Sequence, residues 1–162
     1  MMVLLRAGLL GLLFATSVLA EDLAGNIAAK VLTAEVAERI LSAPVEAAKA
    51  NSEPDIKSGA TVVSRCSYSV KGDSAMTIRV SLMLRRAGTP EEAKAIFLAS
   101  KQTYHGEDIG GLGDAAYRTA APAQLNVLKG RSWLIISAGP FPKADPSLQE
   151  KAAREILKNL PD

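Results

Sequence analysis

The sequence predicts an α+β domain in which a single antiparallel sheet of about five strands packs against two or three helices, in the order α-β-β-α-β-β-β-α. Three observations carry that prediction. The stretches 62–71 and 76–85 alternate apolar and polar residues around a Gly-Asp turn, the pattern of a hairpin with one covered face. Thr89-Pro90-Glu91-Glu92 has the residues of a helix capping box and precedes an apolar stripe at helical spacing. A second strand pair, Gln124 to Ala138, is followed by Asp145-Pro146, a helix start.

Residues 1–20 are read as a signal peptide rather than as part of the fold. Arg6 is followed by an uncharged stretch from Ala7 to Ala20, with the small residue Ala20 before Glu21, where cleavage is expected. That stretch falls short of the ~20 apolar residues a membrane-crossing helix needs. No second long apolar segment follows, so the expected mature chain has no transmembrane anchor and is periplasmic or secreted.

Residues 21–32 read as an N-terminal segment, and 33–162 as one α+β domain, a length that supports a single core. Thr33 caps a helix whose Val36, Ala37, Ile40 and Leu41 lie on one side, and Pro44 closes it. The stretch "EAAKANSEPDIKSG" from Glu46 mixes charge, Pro and Gly without a period and reads as a surface connection. In the first hairpin Val62, Ser64, Cys66, Tyr68 and Val70 share a face, as do Met76, Ile78, Val80, Leu82 and Leu84, joined by Lys71-Gly72-Asp73-Ser74. The helix opened by Thr89 presents Ala93, Ile96, Phe97, Ser100 and Tyr104. A short strand from Ala115 to Thr119 then precedes "QLNVL" and "SWLIIS", a hairpin around Lys129-Gly130-Arg131. Both of its faces are apolar, which places it centrally with cover on two sides. Asp145 and Pro146 begin the last helix, with Leu148, Ala152, Ile156, Leu157 and Leu160 as its stripe.

Composition and motifs exclude more chemistry than they identify. Lys and Arg total 19 against 17 Asp and Glu, and this near balance argues against a nucleic-acid partner. Gly111-Leu112-Gly113-Asp114-Ala115-Ala116 matches the spelling of a dinucleotide-binding turn, but no buried strand precedes it and no long helix follows. Its glycines read instead as a bend entering a strand, with Asp114 bonded to a backbone N–H, so no cofactor is expected. His105 is the only histidine, and beside Glu107 and Asp108 it falls short of a zinc ligand set, so no metal is expected.

Cys66 is the only cysteine, which rules out an intramolecular disulfide. Its strand face makes it a buried small hydrophobe, the alternative being an exposed thiol that links two chains. Tyr117, Arg118, Trp133 and Tyr68 are the candidate ligand-binding residues, because aromatics and Arg offer large contact area with a polar handle. Trp133 and Tyr68 can equally be core residues, and Arg118 the solvent side of a short strand.

"RCSYSV", "TPEEAKAIF", "GLGDAAYR" and "QLNVLKGRSWLIIS", in that order, resemble small extracytoplasmic bacterial domains, a loose group that includes mycobacterial lipoproteins and the sensor domain of membrane-anchored serine/threonine kinases. The resemblance spans roughly residues 33 to 160. It implies an antiparallel sheet packed against helices in the manner of PsbP-like folds, and binding or sensing rather than catalysis. This chain lacks the lipobox cysteine, membrane anchor and extra cysteines found in that group, and no catalytic residue carries over. The expected function is therefore an exported module that binds a small molecule, a peptide or a protein partner in the cell envelope, not an enzyme. The alternatives are an envelope structural or assembly factor, and a hydrolase using His105 with Ser100, Ser132 or a carboxylate.

Overall fold

A computed structural model describes residues 25–73 and 77–161. The expected signal peptide, Ser74 of the first turn and Met76 of the second strand lie outside the described residues. The fold is α+β with one open antiparallel sheet, and it has more strands than the sequence predicts. The elements run α1 (Ile27–Val31), α2 (Ala34–Leu41), β1 (Val45–Ala47), a 3-10 turn (Lys49–Ser52), β2 (Ile56–Ser58), β3 (Thr61–Val70), β4 (Ile78–Arg86), α3 (Pro90–Thr103), β5 (Glu107–Asp108), β6 (Ala115–Ala120), β7 (Ala123–Lys129), β8 (Ser132–Pro140) and α4 (Pro146–Leu157). The sheet order is β1-β3-β4-β8-β7-β6-β5, with β2 also paired to β3.

Among the described residues eight strands thus replace the predicted five, and four helices replace two or three. The missed strands β1, β2 and β5 have two or three residues each, too few to show a period. The stretch after Glu46 is more than a surface connection, since β1 and β2 hydrogen-bond to opposite ends of β3. Helix α1 also lies where no element was expected. Its N-cap Asn26 accepts from Ala29 N at 2.9 Å, and its amide faces the carbonyls of Ala50, Glu53 and Arg65 at 3.1, 3.2 and 2.7 Å. Distant backbone groups rather than local propensity hold this five-residue helix, which is too short to persist alone.

The longer elements follow the sequence logic. In β3 and β4 the register pairs Cys66 with Leu82 and Tyr68 with Val80, so the alternating apolar residues form one continuous face. In α3 the capping box is complete: Thr89 Oγ1 accepts from Glu92 N at 3.2 Å, and Glu92 Oε2 accepts from Thr89 N at 3.3 Å. Asp145 Oδ1 caps α4 by accepting from Ser147 N and Leu148 N at 2.9 and 3.2 Å.

Helices cover the two sheet faces unequally. On one face α1, α2 and α4 close the main core over Cys66, Leu82, Leu125, Leu134 and Ile136. On the other α3 alone closes a smaller core of Ala87, Ala93, Phe97, Tyr117, Leu128 and Trp133. Strand β8 is central, as its doubly apolar sequence predicts, but α3 covers its second face only around Trp133 and leaves Ser137 outside that smaller core. Among the described residues no helix is long and apolar enough to cross a membrane.

Candidate functional site

The site is the part of the α3 side that α3 leaves uncovered. Because side chains alternate, the residues on this open face are the polar halves of the same strands that build the main core. The register aligns them in cross-strand rows. Val63, Arg85, Trp133 and Leu128 make one; Arg65, Met83, Ile135, Asn126 and Tyr117 the next; then Ser67, Ser81 and Ser137; then Ser69, Arg79 and Gly139.

Three arginines therefore stand on one face, and none forms an ion pair among the described residues. Two are stacked on aromatics. The Arg79 guanidinium lies 4.5 Å from the Phe141 ring centroid and that of Arg85 5.1 Å from Trp133. Arg85 Nε is buried with no hydrogen-bond acceptor among the described residues, an arrangement that costs about 1–3 kcal/mol if nothing else meets it. Beside Arg85, between α3 and the sheet, is a hollow of about 430 Å³. Ile96 and Ala99 of α3 wall it on one side, Ile135 and Trp133 on the other, with Tyr104 at one end.

The four expected ligand-binding residues do not converge. Trp133 lines the hollow, and its Nε1 donates to Asn126 Oδ1 at 3.0 Å. Tyr117 lies on the same face but is fully buried beneath α3, its ring 4.7 Å from that of Phe97 and its hydroxyl donating to Ser100 Oγ at 2.8 Å. Burial pushes the Tyr117 hydroxyl above its ordinary pKa, the Ser100 contact opposing. Tyr68 points into the main core on the opposite face, where burial likewise raises it. Arg118 is also on that opposite face, bonded to Glu150 at 2.9 Å and to the Pro146 carbonyl at 3.4 Å on α4.

Cys66 is buried, 2 % exposed, which removes the exposed-thiol alternative in this fold. Loss of solvation pushes its thiol up to about 12. His105 sits exposed beyond α3 with φ +50°, and among the described residues no hydrogen bond joins it to Ser100 or Ser132. Asp108 beside it is taken by Lys101 at 2.7 Å. Among the described residues no group of three His, Cys, Asp or Glu is placed to hold a metal ion.

The Gly111–Asp114 bend leads into β6 rather than into a helix, so it offers no helix N-terminus to a phosphate. Its Asp114 docks on the β7–β8 turn, accepting from Gly130 N at 2.7 Å and Lys129 Nζ at 3.0 Å. These contacts hold the Asp114 carboxyl below its ordinary pKa, the Gly130 N–H most of all. A Cβ at Gly113, where φ is +57°, would come within 2.3 Å of the Leu128 carbonyl oxygen, so only glycine fits there. The "GLGD" and "LKG" stretches thus touch one another as a structural joint.

Sequence reasoning missed Arg85, Arg79 and Asn126. The available signal was the polar half of the β4 alternation, in which Arg79 and Arg85 fall on the same face of one strand. Comparison of the chain with protein-family models, with curated proteins and with solved structures finds no match.

Proposed function

We propose that this protein is an exported binding module of the cell envelope, without catalytic activity of its own, whose ligand lies on the open sheet face beside α3. One observation carries the reading: a sheet sealed by three helices on one side is left partly uncovered on the other, and the uncovered part presents Arg65, Arg79 and Arg85 with no carboxylate paired to them among the described residues. Export is supported by the Arg6-to-Ala20 pattern. The resemblance to extracytoplasmic sensor and lipoprotein domains points the same way, toward recognition rather than turnover.

The test is photocrosslinking from position 99 on α3 in cells, together with thermal shifts of the purified protein across organic anions and envelope fragments. The expected result is a ligand that raises the midpoint and a crosslink that the same ligand suppresses. A protein captured through other surfaces, with no ligand-dependent shift, would favour an envelope assembly factor instead. Fractionation with N-terminal sequencing checks export, for which the expected mature terminus is Glu21.

A further inference from the structure

Resting on that reading, we infer the chemical class of the ligand: a small organic anion with an apolar body, its head on the Arg85 guanidinium and its body in the hollow between α3 and the sheet. Four features combine to select it. The hollow, at about 430 Å³, falls within the size range of small-molecule sites. Among the described residues Arg85 is its only charged lining residue, so an approaching cation meets like charge and no carboxylate there.

The guanidinium is also anchored. It lies over the Trp133 ring, 5.1 Å from the centroid, and its planar fork suits a carboxylate, phosphate or sulfonate that can accept two parallel hydrogen bonds. The guanidinium forms no ion pair among the described residues, which leaves its charge for such a head to meet. Finally, the walls are apolar on both sides, with Ile96 and Ala99 facing Ile135 and Trp133. A bare hydrated ion gains nothing from those walls, whereas an aromatic or alkyl body removes them from water. Ser100, Thr103 and Asn126 lie around the hollow as neutral groups that can orient a polar substituent.

A matched pair of fluorescent probes tests this. Anilinonaphthalenesulfonate carries an apolar body and an anionic head, and N-phenylnaphthylamine carries nearly the same body with no charge. Both are titrated into the purified native protein, with a cooperative thermal melt recorded for every variant. Arg85→Gln is expected to weaken the sulfonate by about tenfold, the effect of one charge-assisted contact, and the neutral probe by less than about twofold. Thr103→Glu, an exposed position on the rim, leaves the core untouched and is expected to act in the same direction. Ala99→Trp, also exposed, fills the hollow from α3 and is expected to weaken both probes. Arg39→Gln on α2, across the molecule, removes an equal charge and is expected to change neither.

If both probes fall together in Arg85→Gln and Thr103→Glu, or if neither changes, charge is not recognised. The anion inference is then overturned while the hollow remains a site. If neither probe binds the native protein, or Ala99→Trp leaves both unchanged, the hollow is no site, and the proposed function falls with it.

Discussion

On the closed face of the sheet, Cys66, Leu82, Ile136 and Leu125 stand side by side across four strands, each 2 % exposed or less. One residue further along three of those strands, the open face presents Ser67, Ser81 and Ser137 in the same register. Neighbours in sequence thus serve opposite ends. The closed row excludes water and supplies the hydrophobic free energy of folding; the open row keeps the same backbone soluble and leaves its arginines available. A two-residue period lets one strand carry both programmes, because a substitution on one face does not touch the packing of the other.

The comparison predicts its own strongest test. Ile136→Ala removes a fully buried side chain at the centre of the closed row, and is expected to cost about 3–4 kcal/mol, read as a lower urea midpoint at unchanged m-value. A loss below about 1 kcal/mol would mean that the closed face is not where stability resides.

The next effect depends on pH. Burial raises the Cys66 thiol from 9.0 to about 12, so the folded protein holds its proton where the unfolded chain has lost it. Between those values the folded state binds more protons, and stability falls as pH rises. The contribution is intact below about pH 9 and is lost progressively toward pH 12. At about pH 10.5 the wild type is expected to have lost about 2 kcal/mol relative to Cys66→Ala, compared with their difference at neutral pH. Paired denaturation curves measure it, and a difference that stays flat with pH would place the thiol in water. Iodoacetamide is expected to label Cys66 only after denaturation.

On the α3 side itself Trp133 is both wall and core, lining the hollow while its Nε1 donates to buried Asn126. Trp133→Phe leaves the Asn126 acceptor without its donor, at an expected cost of about 1–2 kcal/mol. Adding Asn126→Leu is expected to recover part of that loss, giving a coupling that a double-mutant cycle reads directly. Strict additivity would show that the hydrogen bond contributes nothing.

What was legible in the sequence divides along the same line. The closed face could be read directly, because Val80, Leu82 and Leu84 repeat at period two, and so could the helix over the other face, because Ala93 and Phe97 recur at helical spacing behind a complete cap. Elements held by long-range hydrogen bonds could not. Asn26 caps Ile27–Val31 locally, but five residues are too few to show a period, and the carbonyls that hold the Asn26 amide lie far off at Ala50, Glu53 and Arg65. The candidate site was legible only in part. Aromatics point to Trp133, but Tyr68 and Arg118 fall on the opposite face, because pairing register and not residue type decides which side chains meet. Arg85 was visible as a polar alternate of β4, yet its stacking on Trp133 follows from the β4–β8 register, which the sequence does not print.

The smallest expected effect is the one that most sharpens the contrast. Ser81 and Ser137 lie opposite each other on β4 and β8, one residue from Leu82 and Ile136. If the open face only solvates the sheet, Ser81→Val with Ser137→Val should leave stability within about 0.5 kcal/mol, since β-branched residues suit strands and no packed core is disturbed. The cost should appear elsewhere: the two valines join Met83 and Ile135 into one apolar patch, and self-association should rise on size-exclusion chromatography. A stability loss approaching that of Ile136→Ala would mean that the serines are packed against something in the folded molecule, and the distinction between a closed and an open face would fail at its centre.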